Sequence, residues 1–390
     1  MVDLSEFEDI RPYSDEEAVE ALNRVSRHPM LPLISKYLFP REDVGILAQT
    51  LRKVKSIDEF QAVVMIDVIN AVLARTSEGF TFGGMENLTS IDGKFLAVSN
   101  HRDIVLDPAL ILYAMHASGI PFAELCVGSN LLQSPLIEDL MKSNRMIKVI
   151  RGISARQMYL NSHTLSKYIR LSITSGTSSI WVAQKEGRSK NGIDKTEQGL
   201  LKMFDMSGEK GFEENFKELN IVPMSISYEY EPCDILKARE LLISRDKKYV
   251  KSENEDLLSI VTGIKQYKGN IHLNIGEPLT HEEIYEASFC NKNDRYQFIR
   301  HCVDDRVRAG YKLWATNYMA YDMLEGGSAK ADHYTPAELE KFKAYIEGQL
   351  GVVEQLPFGQ EEKLDRDELR KILLAIYSNP VKSKEESPVS

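Results

Sequence analysis

The sequence predicts an α/β fold: a largely parallel or mixed sheet flanked by helices, with helical additions at both ends. Two observations carry this. From residue 90 onward, short apolar runs alternate with helical stretches, and strands joined by helical crossovers pair in parallel with both faces covered. Before that region and after it, apolar residues recur every three or four positions, the period of an amphipathic helix.

Taken in order, Asp15–Val25 opens on acidic residues suited to a helix N-terminus, and Ile57–Leu73 carries helical apolar spacing. Thr76–Asn87, with Gly79, Gly83 and Gly84, reads as a turn-rich boundary. Lys94–Ser99 is the first buried strand, followed by a helix over Asp107–Ala117, a strand over Phe122–Val127 and a helix over Pro135–Ser143. Met146–Ile150, Ser179–Ala183, Ile221–Ser227 and Ile271–Ile275 are further strands, with a long helix over Arg156–Ser175. Helices then return over Arg295–Met323, after Thr335 with a capping signal, and over Asp365–Tyr377. The tail from Asn379 has little apolar surface to bury and is expected to be disordered. The expected organisation is a helical region over 1–85, an α/β domain over 86–330, a helical extension over 331–378 and a disordered tail over 379–390.

The 390 residues are 43% hydrophobic with a formal charge of −10, which argues against a nucleic-acid partner. A small anionic substrate needs only a local basic pocket. Cys126, Cys233, Cys290 and Cys302 form no CxxC pair and no metal-spaced cluster, as expected of reduced thiols in the cytoplasm. The start of the chain is acidic where a signal peptide would be basic, and no apolar run approaches the roughly 18–20 residues that span a bilayer. Any membrane contact is expected at the surface, peripherally, on the inner face.

Three strand ends carry chemistry, because a parallel sheet binds ligands beyond the carboxyl ends of its strands. After the first core strand come His101, Asp103, Asp107 and Pro108. A histidine beside a carboxylate suits general-base work, with the carboxylate setting the tautomer. The plainer alternative is a hydrogen-bonded loop histidine and a helix-capping aspartate. After Ser179–Ala183 come Lys185, Glu186, Gly187, Arg188 and Lys190. Glycine allows close backbone approach there, and arginine offers a planar fork for phosphate. The third strand, Met146–Ile150, contains Lys148 and ends at Arg151.

Together and in this order, these segments resemble the blocks of the glycerol-3-phosphate / lysophosphatidate acyltransferase family. Asn100–Pro108 is similar to its His-X4-Asp block, with five residues rather than four between His101 and Asp107. Asp103 is the alternative partner for His101. Arg145–Arg151 resembles the second block. Glu186–Ser189 resembles the third, without the threonine frequent between glycine and arginine. Val222–Ile226 resembles the fourth, a Val-Pro strand. The resemblance implies an O-acyltransferase of phospholipid biosynthesis that needs no cofactor. His101, oriented by Asp107, would deprotonate the hydroxyl of a phosphate-bearing glycerolipid acceptor. That hydroxyl would attack the thioester of acyl-CoA or acyl carrier protein directly. Arg151 and Arg188 would hold the phosphate, with Lys190 or Lys148 contributing, and Glu186 would position the acceptor or Arg188. Lysophosphatidate is the expected acceptor and glycerol-3-phosphate the alternative; a non-catalytic lipid-binding protein is a more distant one. The motifs GxSxG, HExxH, GxGxxG and GxxxxGK[ST] are absent, which argues against hydrolases and nucleotide-binding proteins.

Overall fold

In the computed structural model, residues 4–132, 134–152, 154–252, 254–356 and 364–386 are described. Seven strands form one sheet: β1 (Gly79–Gly83), β2 (Leu96–Ser99), β3 (Glu124–Gly128), β4 (Met146–Val149), β5 (Ile180–Ala183), β6 (Ile221–Tyr228) and β7 (Asn270–Ile275). Their order across the sheet is β1-β7-β6-β2-β5-β3-β4. Every pairing is parallel except β6–β7. The predicted α/β class, with a mostly parallel mixed sheet and helices at both ends, is the observed one.

Alternation along the strands builds two cores. Leu96 and Val98 of β2 face one cluster with Ile147, Ile180 and the helix Ala155–Thr174. Ala97 faces the other, with Trp181, Val222, Met224, Ile226 and the helix Leu106–Ala117. That helix is apolar on nearly every side, because it lies between the sheet and the N-terminal helices.

Three local expectations are corrected. The turn-rich passage over Thr76–Asn87 contains β1, whose Gly-Phe-Thr-Phe-Gly run pairs with β7, so the sheet begins before residue 86. The helix expected over Arg295–Met323 is two helices, Asp294–Gly310 and Ala315–Glu325. At the end of the first helix Gly310 leaves no room for a side chain, since a Cβ there would lie 2.3 Å from the Asn274 amide nitrogen, and Tyr311 then turns extended. The tail expected to be disordered from Asn379 continues the helix Arg366–Glu385, with Pro380 inside it. Val381 is buried, the Asn379 amide donates to the Asn191 carbonyl at 2.7 Å, and Gly192 packs against Ile376 and Pro380. Residues 387–390 lie outside the described residues.

The helices Ala315–Glu325, Pro336–Val353 and Arg366–Glu385 share one apolar cluster with Asp234–Ile243, so the C-terminal helices bind back onto the α/β part. Among the described residues, no helix is long and apolar enough to cross a membrane.

Candidate active site

The topology brings the predicted strand ends together. β2, β5, β3 and β4 lie side by side and parallel, so their carboxyl ends open onto one edge. β2 is also where the chain turns outward both ways, the position at which open sheets leave a crevice. An open cleft lies there. His101, Arg151, Gly187, Arg188 and Lys190 all line it.

His101 follows β2 and leaves the strand in a fixed direction. Asn100 exchanges two hydrogen bonds with the backbone of Ile226, continuing the ladder by a side chain. His101 Nδ1 lies 2.8 Å from Asp107 Oδ2. A carboxylate can only accept, so Nδ1 carries the proton and Nε2 is left as the acceptor. Asp107 is fully buried and held from four sides. Besides His101, it accepts from the amides of Arg102 and Asp103 and, through Oδ1, from the Tyr228 hydroxyl at 2.6 Å. Burial, then the charge of Asp107, raises the Tyr228 pKa well above its usual value, so that hydroxyl stays a donor.

Asp103 faces elsewhere. Its Oδ1 accepts from the amides of Val105 and Leu106 at 2.9 and 2.8 Å, capping the turn into the Leu106–Ala117 helix. Its Oδ2 lies against Gly263, where a Cβ would be 2.1 Å away. Of the two carboxylates offered by the sequence, the one six residues on meets the histidine. The turn capped by Asp103 accommodates the extra residue.

Behind His101 is a buried ionic floor. Arg102 pairs with Asp194 at 2.6 Å and with Glu231 at 3.3 Å, and Lys237 joins Glu231 at 2.6 Å. Burial works against the Arg102 charge, but Asp194 and Glu231 outweigh it and its pKa is raised. Lys237 also donates to the Arg102 carbonyl at 2.7 Å, fixing the backbone beside His101.

The β5 loop is pinned to the same strand end. Gln184 donates to the Ser99 carbonyl at 2.8 Å and Ser189 to the His101 carbonyl at 2.6 Å. Between these anchors Gly187 sits at φ +71°, a conformation that favours glycine, with open space where a Cβ would point. Arg188 Nη1 is buried and has no hydrogen-bond partner among the described residues. A buried, unsatisfied guanidinium nitrogen on a cleft wall marks a place for an acceptor group from outside.

The remaining predicted residues are more committed. Arg151 lies over Gly128, and its guanidinium is 3.7 Å from Glu186. Glu186 therefore stands beside Arg151 rather than Arg188, and its side chain is exposed. Lys190 pairs with Glu240, and Lys148 on β4 is not among the lining residues. The sequence reading missed several lining residues, including Asn130, Trp181, Lys251 and Asp256. Asn130 follows β3, so the strand-end argument applied to that strand would have found it; the Lys251–Asp256 pair has no such signal. The apolar wall is made by Ile104, Cys126, Val127, Leu131, Trp181 and Ala183.

Residues 79–227 match the acyltransferase family, a span that contains all four resembling segments. The protein carries an acyltransferase domain. Acyltransferases of this family take an acyl donor and a lipid acceptor, and the expected enzyme class is the one found. No curated protein matches the chain. Among solved structures, the 1-acyl-sn-glycerophosphate (LPA) acyltransferase PlsC from Thermotoga maritima is similar over 76% of this chain and 95% of that one, at 13% identity and a TM-score of 0.40.

Proposed function

We propose that this acyltransferase moves a fatty acyl group from acyl-CoA or acyl carrier protein to the free hydroxyl of lysophosphatidate, with His101 as general base. One observation carries the reading: the His101–Asp107 pair opens into the same cleft as Arg188, whose buried Nη1 has no hydrogen-bond partner among the described residues. A base and an anion-binding group on one cleft suit an acceptor that bears both a hydroxyl and a phosphate.

His101 Nε2 takes the hydroxyl proton while Asp107 stabilises the imidazolium through Nδ1. The acceptor oxygen forms the new C–O bond at the thioester carbonyl. As the C–S bond breaks, the proton on Nε2 passes to the departing thiolate, and the histidine returns to its starting state. Two features support transfer without an acyl-enzyme. Burial raises the pKa of the Cys126 thiol well above its usual value, so it stays neutral. The Ser189 hydroxyl is engaged with the Ile193 carbonyl at 3.0 Å.

In this reading Arg188 and Arg151 hold the phosphate, and Glu186 steadies Arg151. Lys190, fixed by Glu240, adds positive potential, and Gly187 leaves room for the ligand. The apolar wall over Ile104 and Leu131 suits a fatty acyl chain, which the donor brings with either acceptor.

The test is transfer of a radiolabelled acyl group by the purified protein to lysophosphatidate and to glycerol-3-phosphate, each with both donors. Labelled phosphatidate, lost in His101→Ala, is the expected result. Labelled product with glycerol-3-phosphate alone would move the reading to the sn-1 reaction. Transfer to neither acceptor would overturn it. Arg188→Ala should raise the acceptor KM about ten-fold or more, the size expected for losing a charge-assisted hydrogen bond; an unchanged KM removes Arg188 from the phosphate site.

A further inference from the structure

Arg188 reaches the cleft wall from the loop after β5, so its place is set by whatever holds that loop. On the inner side the loop is tied to the active site. Ser189 donates its amide to the His101 carbonyl at 2.6 Å, and the Arg102 guanidinium donates to the Gly192 carbonyl at 3.3 Å. On the outer side the loop rests on the helix Arg366–Glu385, which lies beyond the span that matches the acyltransferase family.

That helix is shaped to receive the loop. The Asn379 side-chain amide donates to the Asn191 carbonyl at 2.7 Å. Gly192, at φ +77°, packs against the Ile376 carbonyl so closely that a Cβ would come within 2.2 Å of the oxygen. Pro380 explains why this oxygen is open to a neighbour, because a proline has no N–H to return to the carbonyl four residues back. The gap in the helical ladder falls where the loop docks.

The same turn is fastened to the ionic floor behind His101. The buried Tyr377 hydroxyl donates to Asp234 Oδ2 at 2.7 Å and accepts from the Glu231 amide at 3.0 Å. The Glu231 carboxylate in turn holds Arg102 and Lys237, and Lys237 donates to the Arg102 carbonyl. Ile376, Asn379 and Pro380 meet the loop of Arg188 while Tyr377 meets the floor. One turn of helix is thus wedged between the two.

We propose that Asn379 is a positioning residue for the transfer reaction, fixing the Arg188 loop relative to His101 from a helix outside the family span. This rests on the reading that Arg188 takes the acceptor phosphate. Tyr377 sets the helix against the floor, and Asn379 carries that setting to the loop.

Asn379→Ala and Asn379→Asp in the full chain test this. Both remove the donor to Asn191, and the aspartate keeps the shape of the side chain. Each should raise the KM for lysophosphatidate about five-fold, the size of one lost hydrogen bond, with kcat within two-fold of wild type. On an Arg188→Ala background, Asn379→Ala should raise KM no further, because the two act through one contact. Ile372→Val removes a buried methyl from the same helix and is the control for bracing alone. It should lower the melting temperature and leave KM where it was. Asn379→Ala with a wild-type KM overturns the proposal, and so does the same rise in KM whether or not Arg188 is present. An equal rise in Ile372→Val also overturns it, since any weakening of the helix would then suffice. If Arg188→Ala leaves KM unchanged, the phosphate reading falls and the proposal with it. If Arg188→Ala raises KM and the Asn379 variants do not, the phosphate reading stands and the proposal alone falls.

Discussion

Two buried carboxyl groups accept a hydrogen bond from a buried tyrosine, at opposite ends of the same parallel sheet. Asp107, beyond the carboxyl end of β2, takes Tyr228 at 2.6 Å; Glu124, at the amino end of β3, takes Tyr168 at 2.8 Å. Their surroundings differ in the number of donors. Asp107 also accepts from His101 and two backbone amides. For Glu124 the tyrosine and the charge of Arg145 are all that oppose burial, and burial raises its pKa to about 7. A carboxylate can be kept charged out of water when enough donors converge on it. Around Asp107 those donors converge where the chain turns sharply after a strand, which is also where the cleft opens.

The largest test of this contrast is Asp107→Asn. The neutral amide can still accept from Nδ1–H, but it carries no charge to stabilise the imidazolium, so transfer should fall by about 10²–10⁴, the scale of a lost general base. His101→Ala should fall by a similar factor, and the double variant little further, because the two act as a unit. A folded Asp107→Asn protein that keeps more than about a tenth of the wild-type rate breaks the assignment. Rates and melting curves measured on the same preparation separate loss of chemistry from loss of fold.

Glu124 gives the opposite experiment, in stability rather than rate. Its pKa rises on folding from an ordinary 4.5 to about 7. The protonated form is the one the fold favours, so its contribution is whole below pH 4.5. It is lost as the pH rises toward 7, and above that nothing more changes. The loss is at most about 3 kcal/mol. Glu124→Gln keeps an acceptor for the Tyr168 hydroxyl and cannot ionise. It should therefore be more stable than wild type at pH 8, equal to it at pH 4, and free of the slope between. Parallel denaturant titrations at these pH values would show it; a variant no more stable at pH 8 would mean that water or structural relaxation already meets the charge.

These carboxyls also show how far the sequence could be read. The apolar alternation that identified β2, β3, β4, β5 and β6 is local, and it placed His101, Arg151 and Arg188 correctly at strand ends. The partner of His101 is local too: a turn capped by Asp103 returns the chain within six residues, so Asp107 was within reach of the sequence. Tyr228 was not, because it comes from a strand 121 residues later. Distance also hid β1, whose flanking glycines look like turns until β7 supplies the pairing 191 residues on. The C-terminal helix was hidden for the same reason: Val381 and Pro380 are covered by a distant loop at Asn191 and Gly192. The neighbour of Glu186 was out of reach as well, since nothing local says that β4 brings Arg151 beside it.

Tyr228→Phe sharpens the comparison at a smaller scale. It removes one of four donors and leaves Asp107 Oδ1 without its hydrogen bond, at a cost of about 1–3 kcal/mol in stability. His101 and both amides still hold Oδ2, so the rate should fall less than about ten-fold. A loss as large as that of Asp107→Asn would mean that the tyrosine, and not the backbone turn, sets the position of the carboxylate.

The smallest expected effect belongs to Asp103, and it is the one that separates capping from catalysis. Asp103→Asn keeps an oxygen for the amides of Val105 and Leu106, and the new NH2 replaces an oxygen that has no partner among the described residues. Stability should change by less than about 1 kcal/mol, with transfer within two-fold of wild type. Asp103→Ala, which loses the cap, should cost about 1 kcal/mol, typical of removing such a group. Its pH–rate profile should not move, because Asp103 does not touch His101. If instead Asp103→Asn shifted that profile while Asp107→Asn did not, the two carboxylates would have exchanged roles. The 2.8 Å contact between His101 and Asp107 would then be a resting arrangement that the bound acceptor rearranges.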